Sequence, residues 1–337
     1  MFKSFAFSLT ITMSAIILAY LTFGFGAALT TLVLIAVEIA FSFDNAIINA
    51  KILERLSGIW QQLFLTIGMI LAIVGMRIIF PIAIVMITAH LSWQKVIDDA
   101  LHHPSLYGQH LQQAHASISA YGGSFLLLLA LYFLFDEARS EVWLRRIEHP
   151  LQKLGGSIWL PPLLVAIIMI GISVFAGQER GEVLHAGIMG IVSYTLIRLL
   201  IESIGKFTGN QKGTTKYQGW AAFVAFIYLQ VLDASFSFDG VLGAFAITDK
   251  ILLIALGLGV GAVWVRSLTV FMVKRGTLSS YIYLEHGAHY AILILAVALL
   301  SSIFFEIPNA VTGIAGLGVI GASFITSRQA LHAKSQR

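Results

Sequence analysis

The chain has 337 residues, of which 58% are apolar and only 11% charged, with a mean hydropathy of +0.87. Soluble domains carry about 25% charged residues, so this composition excludes a water-soluble globular chain. The absence of cysteine removes disulfides, thiolate metal ligands and thiol nucleophiles. The net charge of +4 does not point to nucleic acid, because the basic residues gather in short loops. Apolar stretches about long enough to span a bilayer recur from end to end, and the ten-residue alternating strands of a barrel are missing. The expected fold is therefore an all-α polytopic membrane protein.

Ten spans are predicted, at 5–22, 27–49, 62–89, 119–136, 160–177, 183–204, 220–247, 250–273, 281–304 and 309–326. The first stretch resembles a signal peptide, but Thr22-Phe-Gly-Phe-Gly26 is a poor cleavage site and another span follows at once, so it is expected to stay as a helix. Pro81 predicts a kink in the third span. The segment 90–118 is polar and carries His90, His102, His103, His110 and His115 with Asp98 and Asp99. At 137–159, Val142, Trp143, Ile147 and Leu151 alternate with Arg and Glu, the pattern of an amphipathic interfacial segment. The glycines from Gly313 to Gly321 lie inside a span without the strand a nucleotide loop requires, and read as close helix packing. With the N-terminus inside, fifteen lysines and arginines fall in cytoplasmic segments, three fall outside, and Arg77, Arg198 and Arg266 lie within spans. This positive-inside bias expects both termini in the cytoplasm.

One acidic phrase occurs twice. Glu38-Ile-Ala-Phe-Ser-Phe-Asp44-Asn45 returns as Asp233-Ala-Ser-Phe-Ser-Phe-Asp239-Gly240, and both copies sit in apolar stretches. Carboxylates are costly at membrane depth, so four at matched positions point to a functional site. An arginine follows each copy in the next span, Arg77 and Arg266, and Tyr121-Gly-Gly resembles His286-Gly-Ala one span further on. Spans two to four thus pair with seven to nine, five spans apart. An odd separation inverts the halves, giving a 5+5 inverted-topology repeat, residues 1–177 and 183–326, within one membrane domain. Glu38 and Asp233 are expected near the midplane, and each arginine near the carboxylates of the opposite half.

On an unbroken helix, carboxylates six residues apart diverge by about 120° and do not share one ion. Asn45 and Gly240 tolerate non-helical backbone, and Ser42 and Ser237 can hydrogen-bond freed backbone groups, so each phrase is expected to be a broken helix. The oxygens offered by Glu38, Asp44, Asn45, Asp233 and Asp239 suit Mg²⁺, Ca²⁺ or Mn²⁺, and carboxylates at this depth favour proton exchange. Ser42, Ser237, Arg77 and Arg266 would support or gate that site. Glu285 and His289 share a helical face and form a candidate cytoplasmic access site.

Blander readings stand beside these. The four acids would be structural if they only pair with Arg77 and Arg266. Arg198 and Glu202 fit a local i,i+4 pair, and the outer histidines match no tight zinc spacing. An intramembrane aspartyl protease would carry Tyr-Asp and Gly-x-Gly-Asp phrases, which are absent, so no enzyme is expected. A non-transporting scaffold acting through 137–159 remains an alternative, whereas the acids would repel an oxyanion.

The pattern resembles the TerC-type integral membrane proteins, and within them the DUF475 branch, over roughly residues 27–304. Glu38, Ser42, Asp44 and Asn45 match the first phrase of that family, Asp233 and Asp239 the second, and Arg77 and Arg266 its arginines. Gly240 departs from the small polar residue often found there, and the His-rich segment lies outside the shared core. The resemblance implies metal-ion homeostasis: export of manganese or related divalent cations, and a link to tellurite resistance. It further implies a bacterial inner-membrane location, a metal ion as substrate with no organic cofactor, the lipid bilayer and cytoplasmic stress-response proteins as partners, and no nucleic acid.

Overall fold

The computed structural model describes residues 2–207, 216–245, 247–248, 250–276, 281–305 and 307–335. Of these, the side chains of 2–4, 41, 76, 80, 84, 88, 201–207, 237–239, 242, 245, 309 and 332–335 lie outside the described set. The described residues are helical with no strand; a lone parallel bridge joins Leu56 to Tyr217.

Helix α1 (Phe2–Phe23) packs on α2 (Phe25–Phe41) and on α14 (Ile251–Arg275). Ser8 meets Ser267 at 2.7 Å, and the Trp264 indole N–H donates to Thr12 Oγ1 at 2.9 Å. Between α2 and α3 (Phe43–Glu54) the axis bends by 52° at Ser42, whose φ of −100° and ψ of 16° leave the helical region. The third predicted span holds α4 (Gly58–Leu65), α5 (Ile67–Ile70), a π-helical stretch Leu71–Ile79 and α6 (Phe80–Thr88). Pro81 explains the distortion: it has no N–H to return to the Arg77 carbonyl four residues back, and its ring crowds that turn. The strain is taken up upstream as wider π turns, which carry Arg77.

The polar outer segment is a helical pair, α7 (Trp93–His102) and α8 (Pro104–Gln113). Its apolar side, Val96, Ala100, Tyr107 and Leu111, closes over Ile82 and Val85 of α6. Then follow α9 (His115–Leu134), α10 (Arg145–Lys153), α11 (Leu160–Phe175), α12 (Arg180–Phe207), α13 (Gly219–Phe245), α14, α15 (Leu284–Ser301) and α16 (Asn309–Ser335). Gly276, at φ 61°, ends α14 in the left-handed conformation that glycine adopts without strain.

Among the described residues, eight helices are long and apolar enough to cross a membrane, nine if the bent pair α2–α3 counts as one span; α11 is apolar but shorter. Helices α9, α13, α14 and α15 form the interior, while α1, α12 and α16 turn most of their apolar surface outward. That exposed surface matches lipid, where only backbone satisfied within each helix is tolerated. The interior pairs are α2 with α14, α13 with the π stretch, and α9 with α15.

Small residues set the closest contacts. A Cβ on Gly257 would stand 2.4 Å from that of Leu34, and one on Gly261 2.5 Å from Cβ and Cγ of Glu38. Gly257 and Gly261, one turn apart, thus seat α2 on α14. The glycines at 313–321 do less of this than the sequence predicted. Gly318 and Gly321 face open space, and Gly313 and Gly316 line a cleft, because α16 lies at the periphery with few helices around it.

Candidate functional site

The buried centre is built from two carboxylate–arginine pairs. Glu38, in the last turn of α2, accepts from Arg77 Nη2 and, at 3.1 Å, from the Ser42 hydroxyl. Asp233, on α13, accepts from Arg266 Nη2 through Oδ2. All four side chains are at most 7% exposed. Charges this deep persist only when paired and hydrogen-bonded.

Both arginines are satisfied in the same manner. Arg77 Nε donates to the Leu258 carbonyl of α14 at 3.1 Å, and Nη1 to the Ala72 carbonyl at 2.6 Å. Arg266 Nη1 donates to the Phe64 carbonyl of α4 at 2.9 Å, and its guanidinium lies 3.7 Å over the Phe64 ring. Each arginine therefore binds the leading acid of its own half and a backbone carbonyl of the other. The sequence placed each arginine near the carboxylates of the opposite half; the ion pairs form within each half, while Arg77 and Arg266 line one space together with both Glu38 and Asp233.

Two residues of α3 complete the Asp233 environment. Asn45 Nδ2 and Asn49 Nδ2 both donate to Asp233 Oδ1, at 2.9 and 2.8 Å. A cleft of about 290 Å³ is lined by Glu38, Ser42, Asn45, Asn49, Arg77, Asp233, Arg266 and Thr269, so the two phrases do face one space. A second cleft, of about 550 Å³, is lined by Glu38, Ser42, Asp44 and Gly240 with Thr312, Gly313 and Gly316 of α16. Glu38 forms part of both walls. Asp44 is buried on the second cleft, and its Oδ1 accepts the Asn45 amide at 2.8 Å.

The two phrases do not share one backbone form. The first breaks at Ser42, but the second stays helical through 237–240 within α13, so the expected second break is absent. Gly240 serves clearance instead: a Cβ there would stand 3.1 Å from Glu38 Oε2. Close packing of α13 against α2 selects glycine while the helical ladder continues, a case of tertiary context overriding propensity. The side chains of Asp239 and Ser237 lie outside the described residues. Among the described residues, no three of Asp, Glu and His converge on one point, so Glu38, Asp44 and Asp233 do not form a single carboxylate cage.

The remaining sequence candidates are dispersed. Glu285 pairs with Lys51 at 2.8 Å, while His289 binds the Glu285 backbone carbonyl at 2.8 Å and stacks on Phe133 with ring centroids 3.7 Å apart. Among the outer histidines, His102 pairs with Asp98 at 2.9 Å, and His115 lies 3.2 Å from Ser119. The Arg198 guanidinium sits 3.5 Å over the Tyr132 ring, and the Glu202 side chain lies outside the described residues.

Two features went unread in the sequence. Asn49 follows Asn45 by four residues, a spacing that puts both on one helical face and would have flagged it. Glu148, in the segment read as interfacial, turns inward and is fully buried. It accepts from Arg139 at 2.9 Å and from the Trp143 and Leu144 amides, and lies 3.4 Å from His286 Nε2 on α15. Burial pushes its pKa up, but His286, the Leu144 amide and Arg139 outweigh burial and hold the carboxyl below its ordinary value.

A bundle of long apolar helices around a buried, charge-paired polar centre defines a multi-pass membrane protein. The chain matches the family described as protein of unknown function (DUF475) over residues 43–334, most of its length, and belongs to that family. No curated protein and no solved structure matches it.

Proposed function

We propose that the chain is a secondary transporter that exports a divalent cation, manganese first, in exchange for protons. One observation carries this reading. Glu38 and Asp233, leading acids of phrases 195 positions apart, are both buried and line one cleft, each neutralised by an arginine from the following span. Duplicated buried acids at the meeting of two repeats are the usual setting of a transport site. The arginines act as tethered counter-cations: they hold the carboxylates while no ion is bound and must yield as an ion arrives. With both pairs intact the centre is neutral, so a divalent ion requires at least one arginine to withdraw, or Asp44 to join.

Several features support the architecture behind this reading. The eight long helices and the bent pair lie at nine of the ten predicted spans, and the shorter apolar helix α11 lies at the remaining one. The pairing of α2 with α14 is matched by that of α13 with the π stretch, which supports a two-fold relation between the halves. The positive-inside bias supports cytoplasmic termini, and the TerC resemblance supports a bacterial inner membrane and metal homeostasis. A scaffold role is the second reading. It is favoured by the exposed basic face of α10, where Arg145, Arg146, His149 and Lys153 line an open surface fit for a cytoplasmic partner.

The test is flux in proteoliposomes, comparing Mn²⁺, Ca²⁺, Mg²⁺, Zn²⁺ and Fe²⁺ across an imposed pH gradient. Saturable movement of at least one ion that Asp44→Asn abolishes supports the transporter. No flux of any of them above protein-free liposomes would leave the scaffold.

A further inference from the structure

Asn45 and Asn49 meet the Asp233 carboxylate through Nδ2, and among the described residues the carboxamide oxygen of each is unused. Both carboxamides are at least 94% buried, and both spend Nδ2 on the same oxygen, Asp233 Oδ1. Among the described residues, neither Asn45 Oδ1 nor Asn49 Oδ1 has a partner, although buried carbonyl oxygens nearly always find one. Gln230, one turn before Asp233, is also buried with both amide atoms unpartnered. The two orphaned asparagine oxygens thus sit beside one carboxylate, on the wall of the cleft that holds both arginines.

The amide orientations follow from electrostatics. Turning either carboxamide over would set its oxygen against Asp233 Oδ1, a repulsive contact unless positive charge stands between them. The two NH₂ groups therefore occupy the place of a cation on that oxygen. In the metal-free state Arg266 binds the other oxygen, Oδ2, and leaves this face to the amides; it is the arginine that would withdraw as an ion arrives.

We propose that Asp233 Oδ1, Asn45 Oδ1 and Asn49 Oδ1 form the binding site of a hard cation, the two carboxamides turning over about χ2 as the ion enters. The inference rests on the cation-transport reading and deepens it by naming Asn49 as a ligand. Carboxylate and amide oxygens suit ions such as Mn²⁺ and Ca²⁺, with water completing the shell. Two donors come from α3 in the first half and one from α13 in the second. Relative movement of the halves would part them, so the site would be made in one state of the transporter and dismantled in the other.

The experiment is equilibrium binding of Mn²⁺ to the purified full chain in lipid nanodiscs, read by loss of the free-ion electron paramagnetic resonance signal. Asn49→Leu removes the oxygen at nearly constant volume and should weaken binding at least tenfold. Asn49→Asp keeps an oxygen but removes the NH₂ donor, and should bind Mn²⁺ as tightly as the parent or more tightly, while its metal-free melting temperature falls. A residue that only braces Asp233 by donating to it would give the reverse, with N49D as defective as N49L, and that outcome overturns the proposal. Unchanged affinity in N49L also overturns it, while leaving a cation site elsewhere. Absence of saturable Mn²⁺ binding by the parent chain would overturn the cation reading itself together with this site. If N49L does not fold, the comparison of N49D with the parent decides alone.

Discussion

Gly261 of α14 faces Glu38 of α2 so closely that any Cβ at 261 would stand 2.5 Å from Glu38 Cβ and Cγ. The contact ties the acid of one half to a helix of the other and leaves the Glu38 carboxylate reaching both clefts. Gly261→Ala should therefore lower stability by about 1–3 kcal/mol through overpacking. Thermal unfolding in detergent measures this, with Gly316→Ala as control, since its Cβ would meet Ala291 at an ordinary 3.4 Å.

Removing one member of a buried ion pair leaves an uncompensated charge. Arg77→Met should cost about 3–5 kcal/mol, whereas the Glu38→Gln/Arg77→Met double variant should recover much of the loss. The same cycle on Asp233 and Arg266 should give a similar coupling, since both pairs are equally buried. Additive losses in either cycle would show that the pair does not act as a unit.

Pro81 is expected to matter for function more than for stability. Pro81→Ala returns an N–H to the Arg77 carbonyl and favours a regular α-helix across Leu71–Ile79, which changes the angle at which Arg77 meets Glu38 while the ion pair persists. The melting temperature should hold or rise, while cation flux should drop by roughly tenfold, since π turns commonly mark functional positions.

Glu148 predicts an acid limb in stability. Its folded pKa lies below the ordinary 4.5, so its contribution is complete above that pH and is lost as pH falls through the lowered value. Melting temperatures between pH 7 and pH 3 should therefore drop more steeply in the parent chain than in Glu148→Gln. The variant should be less stable at pH 7, where Arg139 and His286 lose their charged partner.

Much of this centre was readable from residues alone. Glu38, Asp233, Arg77 and Arg266 were found by repetition inside apolar stretches, where a charge is too costly to be incidental. Asn49 was missed because an asparagine in a span costs less than a charge and raises no comparable signal. Glu148 was missed for a different reason. Local amphipathicity assigned its segment to the membrane surface, whereas His286 and Tyr290, 138 and 142 positions away, draw it inward.

Hydropathy and charge are sums over short windows, so the sequence by itself determined the membrane class, the approximate helix ends and the acids that must be buried. Which charges meet is a different kind of quantity. It depends on helix rotation, on bends at Ser42 and before Pro81, and on how closely glycines let backbones approach, none of which is local. Tertiary structure alone decided that each arginine binds the acid of its own half, that one acidic phrase breaks while its twin stays helical, and that Gly240 makes room for a carboxylate instead of a hinge.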